Sequence, residues 1–180
     1  MGFIIRNSSD FTKMKTLKTL YCAYVRSHLE YASQVWNPNF AIHSGRIEKV
    51  QKKFTRHLSY KFRVPNLGYA DRCSRFHLPP LSTRRNIADI RFLLKLGQAK
   101  LNSPDLLAKL NLNIPPRHCR IRNILHIPHA RTSYRQNSFF LRSMRAFNEL
   151  AKSEPAIDLF TSSLVSINTV FLGKHPDTER

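Results

Sequence analysis

The stretch "LGYADRC" sets a tyrosine two residues before Asp71, an order that would suit divalent-metal chemistry if a second carboxylate followed. Arg72 follows instead, and a guanidinium repels a metal ion, so this stretch predicts an aspartate and an arginine on a short helix. Only 11 acidic residues occur in the 180, and no two of them form an adjacent pair of the kind that holds catalytic ions. His118, Cys119, His126 and His129 fall within twelve residues. One cysteine without a second close pair is a poor zinc signature, and histidines facing solvent or phosphate are the simpler reading. Glycines at 2, 45, 68, 97 and 173 are too scattered for a phosphate cradle, and no Gly-x-Ser-x-Gly elbow nominates a serine nucleophile.

Basic residues carry the stronger signal. Thirty Lys and Arg against 11 Asp and Glu give a formal charge of +19 and a pI near 10.6, a balance that favours a polyanionic partner. Residues 46–63 hold seven Lys or Arg and one acid, Glu48, with Arg46, Lys49, Lys52, Lys53 and Arg56 on the back of an apolar stripe. Residues 117–145 hold seven arginines, Arg117, Arg120, Arg122, Arg131, Arg135, Arg142 and Arg145, and no Lys, Asp or Glu. Arginine grips phosphate with a planar fork and stacks on bases, so both clusters are candidate nucleic-acid contacts. Tyr134, Phe139 and Phe140 lie among these arginines, the phenylalanines at core-like helical spacing.

The elements that must position these residues read as mainly α. Met14, Leu17, Tyr21, Tyr24, Val25, Leu29, Ala32 and Val35 recur at steps of three and four, predicting one helical face from an Asp10 cap to Trp36, stopped by Asn37 and Pro38. Ile47, Val50, Phe54 and Leu58 predict a second helix. Pro65, Asn66 and Gly68 place a loop at 63–68. "YADRCSRFHL" is a short helix closed by Pro79 and Pro80. Ser82 is a candidate cap for a helix carrying Ile87, Ile90, Leu93, Leu94 and Leu96, and Pro104 suits the first turn of another. Residues 114–136 suggest a strand or extended loop. Helical spacing resumes at Phe140, Leu141, Met144, Phe147 and Leu150, a last helix is expected around 159–172, and residues 174–180 form a polar tail.

No apolar run approaches the ~20 residues that cross a bilayer. "MGFIIRNSSD" lacks the long apolar core of a signal peptide, and Arg6 occupies a position where a myristoylation motif has Ser or Thr. Cys22, Cys73 and Cys119 are spread far apart, as free thiols in a reducing compartment would be. The expectation is a soluble, intracellular chain.

Five blocks together resemble a known family. "MGFIIRNSSDF", "LKTLYCAYVRSHLEYASQVWNP", "RIEKVQKKFTRHLSYK", "YADRCSRFHLPPLSTRRNIADIRFLLKL" and "HIPHARTSYRQNSFFLRSMRAFNEL" are similar to the segment downstream of the palm in jockey-type non-LTR retrotransposon reverse transcriptases. The likeness covers roughly residues 2–172 and is most specific in "RSHLEYASQVWNP". It includes the family's "R-T-x-Y-x-x-N-S" and "R-x-F-N" signatures, and it implies that Tyr-x-Asp-Arg-Cys is the usual text at this position. The implied architecture is a thumb-like helical segment at 1–64, a helical connection at 65–112, an Arg-rich C-terminal region at 113–173 with a short extended or β segment, and a tail at 174–180.

The resemblance further implies RNA-directed DNA polymerase as the activity of the parent polypeptide, with its catalytic aspartates and endonuclease outside this chain. No residue here inherits a catalytic role, no cofactor is expected in this segment, and divalent metal belongs to the palm. Implied partners are RNA, an RNA–DNA or DNA duplex and the palm domain, with no membrane. The basic α-helical back at 46–56 is expected to touch the primer–template duplex, the arginines at 117–145 to bind the element's RNA, and the location to be nuclear. Rival readings are a domesticated host adaptor or protein-interaction module, and a pseudogene product that does not fold stably because an apolar surface lacks its cover.

Overall fold

The computed structural model describes residues 1–65, 67–113 and 123–172. The protein is mainly α, with no sheet among the described residues, and it divides into two compact units, Met1–Arg85 and Asn86–Arg180. The loop at 63–68 lies within the first unit.

In the first unit, α1 (Gly2–Arg6) leads to α2 (Met14–Tyr21), a π-helical turn (Cys22–Arg26), α3 (Ser27–Glu30) and α4 (Ser33–Trp36). This corrects the single helical face read from 10 to 36. The wider π turn shifts every later side chain around the axis. Leu17 and Tyr21, before the turn, are buried, whereas Tyr24 within it is 68% exposed. Ala32 then adopts a left-handed conformation (φ 49°), which costs about 1–2 kcal/mol for a residue with a Cβ and ends the helix. Val35 beyond it is 86% exposed. Lys13, not Asp10, occupies the start of α2, and Asp10 accepts from the Ser9 hydroxyl.

The long helix α5 (Ala41–Lys61) closes this unit against α6 (Tyr69–Arg75) and the start of α7 (Leu81–Gly97). Leu17, Tyr21, Phe54, Leu58, Phe76 and Leu78 make its core, and the Tyr21 and Phe54 rings stack at 4.1 Å and 10°. Fully burying such side chains stabilises by about 1.5–3 kcal/mol each. Lys61 ties the chain before α2 to this helix, its Nζ donating to the carbonyls of Ser8 and Ser9.

The second unit contains most of α7, then α8 (Pro104–Leu107), α9 (Ser133–Gln136), α10 (Phe139–Ser153) and α11 (Leu164–Leu172). Ile90, Leu93 and Leu94 of α7 meet Leu141, Met144, Phe147 and Leu150 of α10 around one core, with Leu125, Leu159 and Ile167. Of the region expected as a strand or extended loop, residues 114–122 lie outside the described residues, and in the remainder Leu125 makes an isolated antiparallel bridge with Leu112. Asn148 supplies further pairing: it accepts from Leu125 N at 3.0 Å and donates to Leu125 O at 2.7 Å, so both backbone polar groups of this buried residue are bonded. The last helix starts at Leu164, later than expected, because Asp158 holds a tight turn through the backbone N–H groups of Phe160 and Thr161.

Candidate nucleic-acid interface

The α5 face that turns inward is more polar than the spacing of Ile47, Val50, Phe54 and Leu58 suggests. Glu48, Gln51 and Thr55 are buried there beside Phe54 and Leu58. Glu48 accepts from Leu81 N at 3.0 Å and from Ser82 N at 3.3 Å, placing a carboxylate at the positive end of α7. That replaces the expected Ser82 cap. Tyr69 also donates to Glu48, and burial, reinforced by this hydrogen bond, pushes the Tyr69 phenol far above its usual range.

Gln51 is the centre of the same network. Its Oε1 accepts from the Tyr21 hydroxyl at 3.2 Å, and its Nε2 donates to the carbonyls of Pro79 at 2.9 Å and Leu78 at 3.2 Å. Burial also raises the nearby Cys73 thiol above its ordinary value. The "YADRC" box is thus a structural knot. Arg72 is buried, donating to the Leu67 carbonyl and to Thr55 Oγ1 at 3.4 Å, while Asp71 sits exposed in the first turn of α6. Sequence reasoning placed both on a short helix, as found, but gave Arg72 no partner across to α5.

With Glu48 turned inward, the outer face of α5 carries no carboxylate. Arg46, Lys49, Lys52, Lys53 and Arg56 are all exposed, as read from the sequence. Four of them lie in a single file at steps of three and four, Arg46, Lys49, Lys53 and Arg56, over about 15 Å of helix axis. Ile42, 64% exposed, and Tyr60, 87% exposed, extend the file at its two ends. Neither was singled out from sequence, although the repeat 42, 46, 49, 53, 56, 60 contains both. Lys52 stands beside the file with its Nζ 5.1 Å from the Tyr69 ring centre, a cation–π contact that ties it to α6. His57 shares the helix, partly buried; its Nε2 finds no hydrogen-bond partner among the described residues, and burial, then the Lys61 cation, lowers its pKa.

The arginines of the second cluster separate. Arg117, Arg120 and Arg122 lie outside the described residues, as do His118 and Cys119. Arg131 and Arg135 are exposed and line an open cleft of about 580 Å³ with His129 and Thr132. Arg145 is exposed too, its Nη2 3.3 Å from the Gln136 carbonyl. Arg142 corrects the expectation of a uniform phosphate-facing surface. Its fork is occupied by Asp89, Nε to Oδ2 at 2.8 Å and Nη2 to Oδ1 at 3.3 Å, and Nη1 holds the Asn137 carbonyl at 2.9 Å.

Similar local duties fall to the signature residues around it. Thr132 accepts from Arg135 N as the cap of α9, and Phe147 and Asn148 serve the core. Elsewhere Glu30 pairs with Arg84, whose guanidinium is held further above its ordinary pKa by that hydrogen bond. No group of three or more His, Cys, Asp or Glu side chains among the described residues could hold a metal ion, and none of their helices is long and apolar enough to cross a membrane. No protein-family model, curated protein or solved structure matches the chain.

Proposed function

We propose that this chain is a sequence-tolerant nucleic-acid-binding helical module, of the kind found in the thumb and C-terminal region of jockey-type non-LTR reverse transcriptases. Its task is to hold a primer–template duplex, RNA–DNA or DNA, through phosphate contacts from α5. The observation that carries the reading is the file of four exposed cations on a helix whose single carboxylate, Glu48, is turned inward to cap another helix. Surface cations facing away from any acid gain most from a polyanion, because each phosphate contact releases a condensed counterion. In this reading Arg131, Arg135 and Arg145 add contacts to the element's RNA, no side chain of the chain performs catalysis, and the protein works in the nucleus.

The test is the salt dependence of duplex binding, followed by anisotropy of a labelled 20-base-pair duplex. Replacing Arg46, Lys49, Lys53 and Arg56 together by Ala should flatten the slope of log affinity against log salt by about 0.9 for each phosphate no longer neutralised. An unchanged affinity and slope would overturn the proposal.

A further inference from the structure

The open cleft of about 580 Å³ in the second unit is lined by His129, Arg131, Thr132 and Arg135, so two guanidiniums, an imidazole and a hydroxyl face one space. Its backbone is tied down on both sides of the arginines. Ala130 is buried and its carbonyl accepts from Gln136 Nε2 at 3.1 Å, Thr132 Oγ1 accepts from Arg135 N at 3.3 Å, and the Asn137 carbonyl is held by Arg142 Nη1 at 2.9 Å. The lining cations are not spent in this way. Among the described residues neither the Arg131 nor the Arg135 guanidinium has a hydrogen-bond or ion-pair partner, in contrast to Arg142, whose fork Asp89 fills. Thr132, having accepted one N–H, keeps its own O–H to donate.

A held backbone that carries unpaired cations is a preorganised anion site, because no internal ion pair has to break before a ligand binds. Residues 117–145 supply no carboxylate to compete for the arginines. Two properties choose the anion. A phosphomonoester carries about −1.5 to −2 charges and three acceptor oxygens, more than an internal linkage offers, so it is the group that can engage two guanidinium forks at once. The cleft also falls in the range of about 300–1,000 Å³ that takes a small molecule, which leaves room for the nucleoside attached to that phosphate.

We infer that this cleft receives the terminal phosphate of a nucleic-acid strand, with Arg131 and Arg135 gripping its oxygens and His129 and Thr132 completing the set of donors. This rests on the function proposed above, and it names the group on the RNA that the two arginines hold.

The probes are one twelve-nucleotide RNA, labelled internally and carrying a 5′-phosphate, a 3′-phosphate or hydroxyls at both ends, and a labelled phosphoserine peptide. By anisotropy the unaltered chain should bind at least one phosphorylated RNA about tenfold more tightly than the hydroxyl form, and the form preferred tells which end enters the cleft. Arg131→Ala and Arg135→Ala should each abolish that preference, and Arg135→Lys, which keeps the charge and loses the fork, should reduce it. Equal affinity of the unaltered chain for the three RNAs, with the salt slope of duplex binding intact, would overturn this inference and leave the proposed function standing. Loss of all RNA and duplex binding would overturn both. A preference that survives both alanine substitutions would place the terminal phosphate elsewhere and overturn the inference. A phosphoserine peptide bound as tightly as the preferred RNA would make the cleft a protein-recognition site and equally overturn it. The comparison of the three RNAs uses the unaltered chain, so it decides the matter even where a variant fails to fold.

Discussion

Arg142 of α10 closes its guanidinium fork on Asp89 of α7, and the Asp89 side chain is only 2% exposed. Arg145, one turn further along the same helix, stands exposed in solvent. Two arginines of one cluster thus serve packing and surface charge respectively. The difference arises because Asp89, 53 residues away, meets only one of them.

Arg142→Ala should lower the stability of the chain by about 3–5 kcal/mol in urea unfolding, since it takes the two hydrogen bonds of the fork away from a buried carboxylate. Arg145→Ala should stay within about 0.5 kcal/mol of the unaltered protein while weakening RNA binding. Equal stability losses for the two would refute this division.

Gln51→Leu removes the partners of the Tyr21 hydroxyl and of the Pro79 carbonyl in one step. At about 1–3 kcal/mol per orphaned buried group, a total loss near 3 kcal/mol is expected by chemical denaturation. Duplex affinity measured well below the midpoint should hold, because Gln51 faces away from the cationic file.

His57 should make stability fall in mild acid. Burial, then Lys61, hold its folded pKa below the ordinary 6.5. Between that folded value and 6.5 the unfolded chain binds the proton and the folded chain does not, so folding weakens as pH drops through about 6.5. The urea midpoint of His57→Gln should therefore decline less than that of the unaltered protein between about pH 7.5 and 5.5. Parallel declines would show that His57 is not the group responsible.

Gly97→Ala reverses a familiar preference. Alanine usually favours a helix over glycine by about 1 kcal/mol. Here the added Cβ would sit 3.0 Å from Leu159 Cγ, in a core where Leu159 is 1% exposed and has little room to yield. Destabilisation of about 1–3 kcal/mol is expected from thermal or urea unfolding. A rise in stability would mean that the Leu159 side chain repacks freely.

Much of the helical content was legible because helical faces repeat locally: Phe54 with Leu58, Ile90 with Leu93 and Leu94, Met144 with Phe147. The same rule placed Arg46, Lys49, Lys52, Lys53 and Arg56 on an exposed face. It failed where local geometry departed from the regular turn, at Cys22–Arg26 and at Ala32, and so the exposure of Tyr24 and Val35 was not foreseen.

The sequence by itself determined the excess of cations and the helices that carry them, since charge is a sum over residues and helical periodicity depends on near neighbours. Only the tertiary structure decided which charges are drawn inward or paired. Glu48 reaches Leu81, Glu30 reaches Arg84 and Asp89 reaches Arg142 across 33, 54 and 53 residues, contacts that no local pattern encodes. Glu48, drawn inward, leaves the outer face of α5 without an acid, and Asp89 occupies the Arg142 fork while Arg131, Arg135 and Arg145 stand exposed.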